Sequence, residues 1–304
     1  MNKEFVYKQL LNILDEDSIK VDEPMKKHIS FKVGGPADFL VKPKTEEELI
    51  EVIKFVKKEN IPFIIIGNGS NLLVKDGGIR GIVIELSDNF NNYEIEGNII
   101  KAQSGVLLTI LGRNAMKNSL TGFEFASGIP GTLGGALAMN AGAYGGEMKQ
   151  VVKSVRLIDS DGNIFELSNE EMKFEYRKSI ITTNNYIALS AVIELQQGNA
   201  DEIKEIMEDY ANRRSTKQPL KFPSAGSTFK RPEGYFAGKL IDDCGLRGLS
   251  LRGAQVSEKH CGFVINTGEA NAKDILDLIF IVKSTVNAKF GVMLEEEVKI
   301  LGED

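Results

Sequence analysis

The 304-residue sequence has no tryptophan, two cysteines (Cys244 and Cys261) and two histidines (His28 and His260). Two cysteines cannot build a disulfide framework, and two histidines leave a zinc site short of ligands at the usual spacing. No metal is therefore expected, and both cysteines read as buried structural thiols. No apolar run approaches the roughly 18 residues of a membrane span. The start, Met1-Asn2-Lys3-Glu4-Phe5, lacks the apolar core of a secretion signal. The expectation is a soluble cytoplasmic protein. Excess positive charge is also missing: 37 Lys and Arg stand against 43 Asp and Glu, a net charge of −6. Nucleic acid is thus a poor partner. With 42% hydrophobic residues the chain can bury a sizeable core, and its length suggests two or three domains.

Glycine, by contrast, is plentiful and unevenly spread. There are 30 in all, and seven of the nineteen residues from Gly128 to Gly146 are glycine. Interleaved Ile129, Leu133, Leu137, Met139 and Tyr144 exclude a flexible linker. Such a segment is backbone that something approaches closely.

The patterning gives a coarse order of elements. Thr45-Glu46-Glu47-Glu48 reads as a capping box, and Leu49, Ile50, Val52, Ile53 and Val56 follow at helical spacing until Asn60 and Pro62. Apolar runs at 63–66 and 79–86 predict strands, so that a β-α-β unit ends its strand in a glycine turn. A hairpin is expected around Gly97-Asn98, a helix over about 107–118, and strands over 151–158, 164–167 and 186–195. Asn199 and Asp201 open a helix with Ile203, Ile206, Met207 and Tyr210 on one face, which closes on Arg213, Arg214 and Lys217 before Pro219. Beyond it the expected order is a helix over 236–243, a strand over 262–266, a long helix through Ile275 to Val286, and a last strand over 292–301. These place boundaries near 88 and 198, giving segments 1–88, 89–198 and 199–304.

Two glycine loops carry the chemical signal. Gly67-Asn68-Gly69-Ser70-Asn71-Leu72 fails the dinucleotide fingerprint at its third glycine position, and the chain's Gly238-Lys239 pair is followed by Leu240, not the Ser or Thr of a phosphate loop. Main-chain N–H groups at such a turn can still face an oxyanion, although a plain strand-to-loop turn reads equally well. The second loop, Gly128-Ile129-Pro130-Gly131-Thr132-Leu133-Gly134-Gly135, continues through Asn140, Gly142 and Ala143. It suits a diphosphate lying against the main chain, or a close-packed contact through small residues. With no phosphate-reading lysine, the former favours a bound cofactor over a phosphoryl donor. Serine hydrolysis is disfavoured, because no Ser stands in Gly-x-Ser-x-Gly. In Pro223-Ser224-Ala225-Gly226-Ser227-Thr228-Phe229-Lys230-Arg231, small residues flank Ser227 and a cationic pair follows it. That pattern fits an accessible hydroxyl near an anion, or a surface turn.

Taken in order, His28 to Asp38, Gly67 to Asn71, Gly128 to Tyr144, Tyr176-Arg177-Lys178-Ser179, Ser224 to Lys230, Gly253-Ala254-Gln255-Val256-Ser257 and Leu294 to Val298 resemble the UDP-N-acetylenolpyruvoylglucosamine reductase family. The likeness spans nearly the whole chain. Spacing between about 180 and 200 leaves no room for a tyrosine-bearing insertion, as in the shorter form of the family. The resemblance implies an α+β fold of three domains. Two form an FAD-binding unit like that of vanillyl-alcohol oxidase (the PCMH type), and the third is an α/β sandwich that takes the substrate. It further implies noncovalent FAD, held by Gly67, Asn68, Gly69, Ser70, Asn71, Gly128, Ile129, Pro130, Gly131, Thr132, Gly134, Gly135, Asn140, Gly142 and Ala143, with NADPH as the electron donor. The implied reaction reduces the enolpyruvyl ether of a UDP-sugar in peptidoglycan synthesis. Ser227 would be the proton donor, with Arg177 and Glu297 facing the substrate carboxylate. Tyr176, Arg214, Lys217, Lys230 and His260 would contact substrate. A monomer is the expected state. Arg231 stands where some members carry Asn, which leaves the contact at that position open. Another flavoenzyme of the same architecture should lack the Ala225-Gly226-Ser227 and Leu294 to Val298 pair of motifs, and a catalytically dead module should have lost Arg177, Ser227 or Glu297.

Overall fold

The computed structural model describes residues 2–304. The chain groups into two compact units. One comprises the residues up to Val21 with Asp38–Asn68 and Gly81–Ala211; the other comprises Asp22–Ala37, Gly69–Arg80 and Asn212–Asp304. Compactness therefore does not follow chain order, because segments 22–37 and 69–80 group with the C-terminal residues.

The first unit contains two hydrophobic cores. The helix Glu46–Lys58 buries Leu49, Val52, Ile53 and Val56, the face that its i, i+3, i+4, i+7 spacing sets. That face packs with Val6, Leu10, Phe39, Val41, Ile82 and Ile84. Its sheet runs in the order 19–24, 36–41, 79–85, 63–66, and Phe63–Ile66 pairs in parallel with Ile82–Glu85. Parallel pairing after a crossover helix is why both strands read as continuous apolar runs. The expected capping box forms by half. Thr45 Oγ1 accepts from the Glu48 N–H, but the Glu48 carboxylate turns to the Lys44 N–H, at 2.6 Å.

The second core lies under a five-stranded antiparallel sheet ordered 164–168, 152–158, 187–194, 99–103, 93–96. Helix Leu108–Lys117 and the short helix Leu133–Ala138 contribute Leu108, Leu111, Leu133 and Leu137 to it. The hairpin turns at Gly97, in left-handed conformation with φ +59°, as its Gly-Asn pair predicts.

In the second unit, Ser250–Leu251, Ala254–Val256 and Val264–Asn266 form an antiparallel sheet. Helix Ala272–Phe290 packs on it through Ile275, Leu278, Ile279, Val282 and Val286. Its start is fully capped: Asn271 and Asp274 form a reciprocal box, and the Asp76 carboxylate accepts from the N–H groups of Ala272 and Lys273, each at 2.9 Å. Lys299–Leu301 pairs in parallel with Leu72–Val74. Two expectations change here. The strand expected over 262–266 starts at Val264, and that expected over 292–301 is regular only over Lys299–Leu301. Leu294 and Val298 are buried, but residues 292–298 meet a partner strand at a single bridge, Phe229 with Glu296. Alternating burial there mimics a strand without a ladder to complete it. Cys261 is buried, whereas Cys244 is half-exposed and both are free. Among the described residues no helix is long and apolar enough to cross a membrane, and no cluster of His, Cys, Asp or Glu could hold a metal ion.

One pair of glycines tests this packing. Gly81 has φ +103°, and a Cβ there would sit 2.0 Å from the Pro62 carbonyl oxygen, while at Gly97 no atom lies within 4 Å of the added carbon. Gly97→Ala should cost about 1 kcal/mol, the left-handed penalty alone. Gly81→Ala should cost about 1–3 kcal/mol more from overpacking. Urea midpoints of the two variants, compared at a common slope, check the order.

Candidate active site

The strand Phe63–Ile66 ends where the first glycine loop begins, and in the first unit that end meets the second loop. Asn68 Nδ2 donates to the Pro130 carbonyl at 2.6 Å. A Cβ on Gly67 would strike Thr132 Oγ1 at 2.1 Å, so glycine is what lets the two loops close on one another. Thr132 caps the helix Leu133–Ala138 through the Gly135 N–H.

Not every glycine here faces a ligand. The Gly134 N–H donates to the Ser104 carbonyl at 2.7 Å, and its added Cβ would lie 2.9 Å from the Ser104 Cβ. A Cβ on Gly142 would meet the Gly146 carbonyl oxygen at 2.6 Å. Packing explains both glycines, and the Gly134 N–H is committed within the protein. Gly135 is different, being exposed with only Thr132 Oγ1, at 3.6 Å, near its added Cβ. The Ser104 hydroxyl beside this segment is buried without a hydrogen-bond partner, an uncommon state for a buried polar group. A cradle open at Gly135 with a waiting hydroxyl below it fits a group carrying polar atoms, as FAD does.

The remaining members of the first glycine loop belong to the second unit. Gly69, with φ +58°, lies against the His28 carbonyl, and its own carbonyl accepts from the Ser30 N–H at 3.1 Å. Asn71 Nδ2 donates to the Glu297 carbonyl at 3.1 Å.

Arg177 stands in a tight turn of the first unit. Glu175 and Lys178 exchange main-chain hydrogen bonds of 3.0 and 3.2 Å, and Arg177 between them adopts φ +57°. Its guanidinium lies over the ring of exposed Tyr176, 5.0 Å from the centroid. The turn is tied to the end of the glycine segment. Asn140 Nδ2 donates to the Glu175 carbonyl at 3.2 Å, and Ser179 Oγ donates to the Ala138 carbonyl at 3.0 Å. Asn140 is 1% exposed, and its side chain also bonds Glu147 and the Lys149 N–H. Those three partners are within the protein, and the Asn140 N–H donates to the Leu137 carbonyl at 3.4 Å, so side chain and N–H are both committed there.

Ser227 and Glu297 fall in the second unit on facing segments. The Phe229–Glu296 bridge, the Glu297 N–H to Thr228 carbonyl bond (2.9 Å) and the Lys230 N–H to Glu295 carbonyl bond (2.9 Å) set the register. Thr228 is therefore opposite Glu297, with Ser227 next in line. The charges sort themselves along this run. Glu295 pairs with Lys230 at 2.9 Å, which holds its carboxyl below the ordinary value, and Glu296 pairs with Lys283 at 2.7 Å. Lys230, expected to meet substrate, thus has a carboxylate partner.

His260 closes another side of this region. Its Nδ1 accepts from the Gly262 N–H at 3.1 Å, and a Cβ added to Gly262 would be 3.1 Å from that nitrogen and 3.6 Å from Ser227 Oγ. Burial, with the Arg247 charge adding to it, keeps the His260 pKa below the ordinary histidine value. The ring is neutral at pH 7, with its proton on Nε2. The Thr228 N–H donates to the Gly262 carbonyl at 2.8 Å, and Thr228 Oγ1 accepts from the Val264 N–H at 2.9 Å. Arg214 and Lys217 lie on the last turn of helix Ala200–Lys217, half-buried and exposed respectively. Of the residues expected to act on substrate, Ser227, Glu297, Lys230 and His260 are thus gathered in one unit, while Tyr176 and Arg177 belong to the other. The motifs Gly128 to Tyr144 and Tyr176 to Ser179 contain Asn140 and Ser179 but did not reveal that these two hold the arginine turn, since a motif does not say which side chain meets which carbonyl.

Residues 37–168 match the model of an FAD binding domain, and residues 218–301 match that of the UDP-N-acetylenolpyruvoylglucosamine reductase C-terminal domain. The UDP-N-acetylenolpyruvoylglucosamine reductase of Clostridioides difficile (strain 630) is 74% identical over 304 residues, all of both chains, and that of Alkaliphilus oremlandii is 53% identical over the same length. The crystal structure of the reductase of this name from Thermus caldophilus superposes with a TM-score of 0.81 at 35% identity, covering 93% of this chain and 98% of that one. A glucose dehydrogenase, Phl p 4.0202, shares the fold at a TM-score of 0.52 and 14% identity, over 74% of this chain and 52% of its own. The chain belongs to the UDP-N-acetylenolpyruvoylglucosamine reductase family.

Proposed function

We infer that this chain is an FAD-dependent, NADPH-using reductase that converts UDP-N-acetylglucosamine enolpyruvate to UDP-N-acetylmuramate for peptidoglycan synthesis, a cytoplasmic reaction. One observation carries the reading beyond a generic flavoenzyme: Ser227 and Glu297 stand on facing segments within the stretch matched to the reductase C-terminal domain. An alcohol oxidase of the same architecture has no use for that pairing.

The proposed division is into lobes over 1–88 and 89–198, with FAD at their glycine loops and substrate at residues 199–304; the core around helix Glu46–Lys58 also takes Phe90, Ile158, Ile187 and Leu189 from the second of these lobes. Gly67, Asn68, Pro130, Thr132 and Gly135 are best placed to hold the cofactor. No histidine stands in either glycine loop, which supports noncovalent binding, and a monomer is the simplest state.

Bound and reduced, FAD supplies the hydride that adds to the terminal alkene carbon. Ser227 delivers the proton to the other alkene carbon, so that hydride and proton together saturate the double bond. Negative charge spreads meanwhile into the adjacent carboxylate, and a cation aimed at that charge lowers the barrier. Arg177 is that cation, and Glu297 completes the hydrogen bonding of the carboxylate. A serine hydroxyl is a weak acid, so its proton transfer depends on neighbouring charge and on geometry. Arg214 and Lys217 suit the diphosphate, while Tyr176, Lys230 and His260 are the further residues proposed to contact the sugar nucleotide.

The purified protein should show flavin absorption that bleaches anaerobically with NADPH and returns on addition of the enolpyruvyl sugar nucleotide; a protein that stays colourless with added FAD would overturn the reading. Ser227→Ala should leave bleaching intact and slow the return by roughly 100- to 10,000-fold, the usual contribution of a positioned proton donor. Turnover at the parent rate would remove Ser227 from that role. Stopped-flow absorbance of the two half-reactions makes both measurements.

A further inference from the structure

Arg177 is a long, flexible side chain on a four-residue turn, and such a cation helps a reaction only when its base is fixed. The buried amide of Asn140 does the fixing. An amide offers two N–H donors and one oxygen, and all three are engaged: the donors reach Glu147 Oε2 at 3.1 Å and the Glu175 carbonyl at 3.2 Å, and the oxygen takes the Lys149 N–H at 2.9 Å. Glu175 is the first residue of the arginine turn. On the far side of that turn Ser179, 1% exposed, bonds the Ala138 carbonyl. The turn is thus clamped at both ends to residues 138 and 140, at the close of the glycine-rich helix. Asn140 holds this place in the left-handed region, φ +42°, which asparagine tolerates better than most residues.

We propose that Asn140 is a positioning residue for the reaction: it fixes the Arg177 turn to the glycine segment, and so aligns the guanidinium with the substrate carboxylate. The inference rests on the role assigned to Arg177 above. It concerns the half-reaction that consumes the sugar nucleotide, because the carboxylate assigned to Arg177 is present only there.

The test is a double-mutant cycle read on separate half-reactions in the FAD-loaded enzyme. Asn140→Asp keeps the shape and the acceptor for Lys149, but turns two donors into a carboxylate oxygen facing Glu147 and the Glu175 carbonyl. The expected result is a reoxidation by substrate slowed roughly 10- to 100-fold, the scale of a small misplacement of a reacting group, and slowed well beyond any change in flavin reduction by NADPH. In an Arg177→Ala background the same change should slow reoxidation no further, since residues acting through one another are not additive. Equal slowing of both half-reactions, a parental reoxidation rate, or full additivity with Arg177→Ala would each overturn the proposal. Should Asn140→Asp fail to retain FAD, Ser179→Ala removes the opposite clamp alone and must show the same split and the same non-additivity; its failure to do so overturns the proposal equally. Parental reoxidation in Arg177→Ala itself would instead overturn the role of the arginine, a different result from a slow Arg177→Ala beside a parental Asn140→Asp.

Discussion

Two main-chain hydrogen bonds decide where Ser227 and Glu297 fall in the second unit. Together they make the Phe229–Glu296 bridge, which joins segments some seventy residues apart in the chain. Register is strict here because a one-residue slip would reverse the facing of every side chain. It would take Thr228 away from Glu297 and bury a charged Glu295 in place of Leu294, which is fully buried. The apolar residues Leu294, Val298 and Phe229 therefore set the register, and the polar residues inherit their positions. The placement of Ser227 and Glu297 in this unit is a by-product of hydrophobic alternation.

The same register sorts three adjacent glutamates. Glu295 and Glu296 each find a lysine, while Glu297 has its N–H on Thr228 and its carbonyl on Asn71. Fixing a residue by both main-chain groups holds its Cα in place, which limits the region its carboxylate can reach, and a fixed origin is the first requirement of an aligned group. Pairing the neighbouring carboxylates also lowers the local negative charge that an anionic substrate would otherwise meet.

Much of this was legible in the sequence, for reasons that differ by element. The helix 46–58 was readable because its apolar period is unambiguous, and the strands 63–66 and 79–85 because short β-branched apolar runs stand between turn residues. The family and its substrate were readable because short ordered motifs such as Ala225-Gly226-Ser227 constrain each other along the whole chain. The grouping of 22–37 and 69–80 with the C-terminal residues was not readable, since it depends on parallel pairing of 72–74 with 299–301 across more than two hundred residues. Nor was the division of the glycines. Gly134 and Gly142 are demanded by neighbouring backbone and side chains, whereas Gly135 stands open, and a letter G does not say which applies. The half-formed box at Thr45 failed for a local reason, as the Lys44 N–H competed for the Glu48 carboxylate.

Backbone strain has a similar logic. Asn140, Tyr144 and Arg177 all adopt left-handed φ without being glycine, at a cost of about 1–2 kcal/mol each. They lie on the two segments that the Asn140 and Ser179 clamps join. Such conformations persist only where surrounding contacts over-determine them, and here those contacts are a saturated amide at Asn140, a two-bond turn around Arg177, and Tyr144 stacked on Tyr210 at 4.3 Å. A relaxed turn would be cheaper to fold, but it would leave the guanidinium free to sample many poses. The strain is consistent with a segment whose geometry is held for alignment, and the buried polar network is what offsets it.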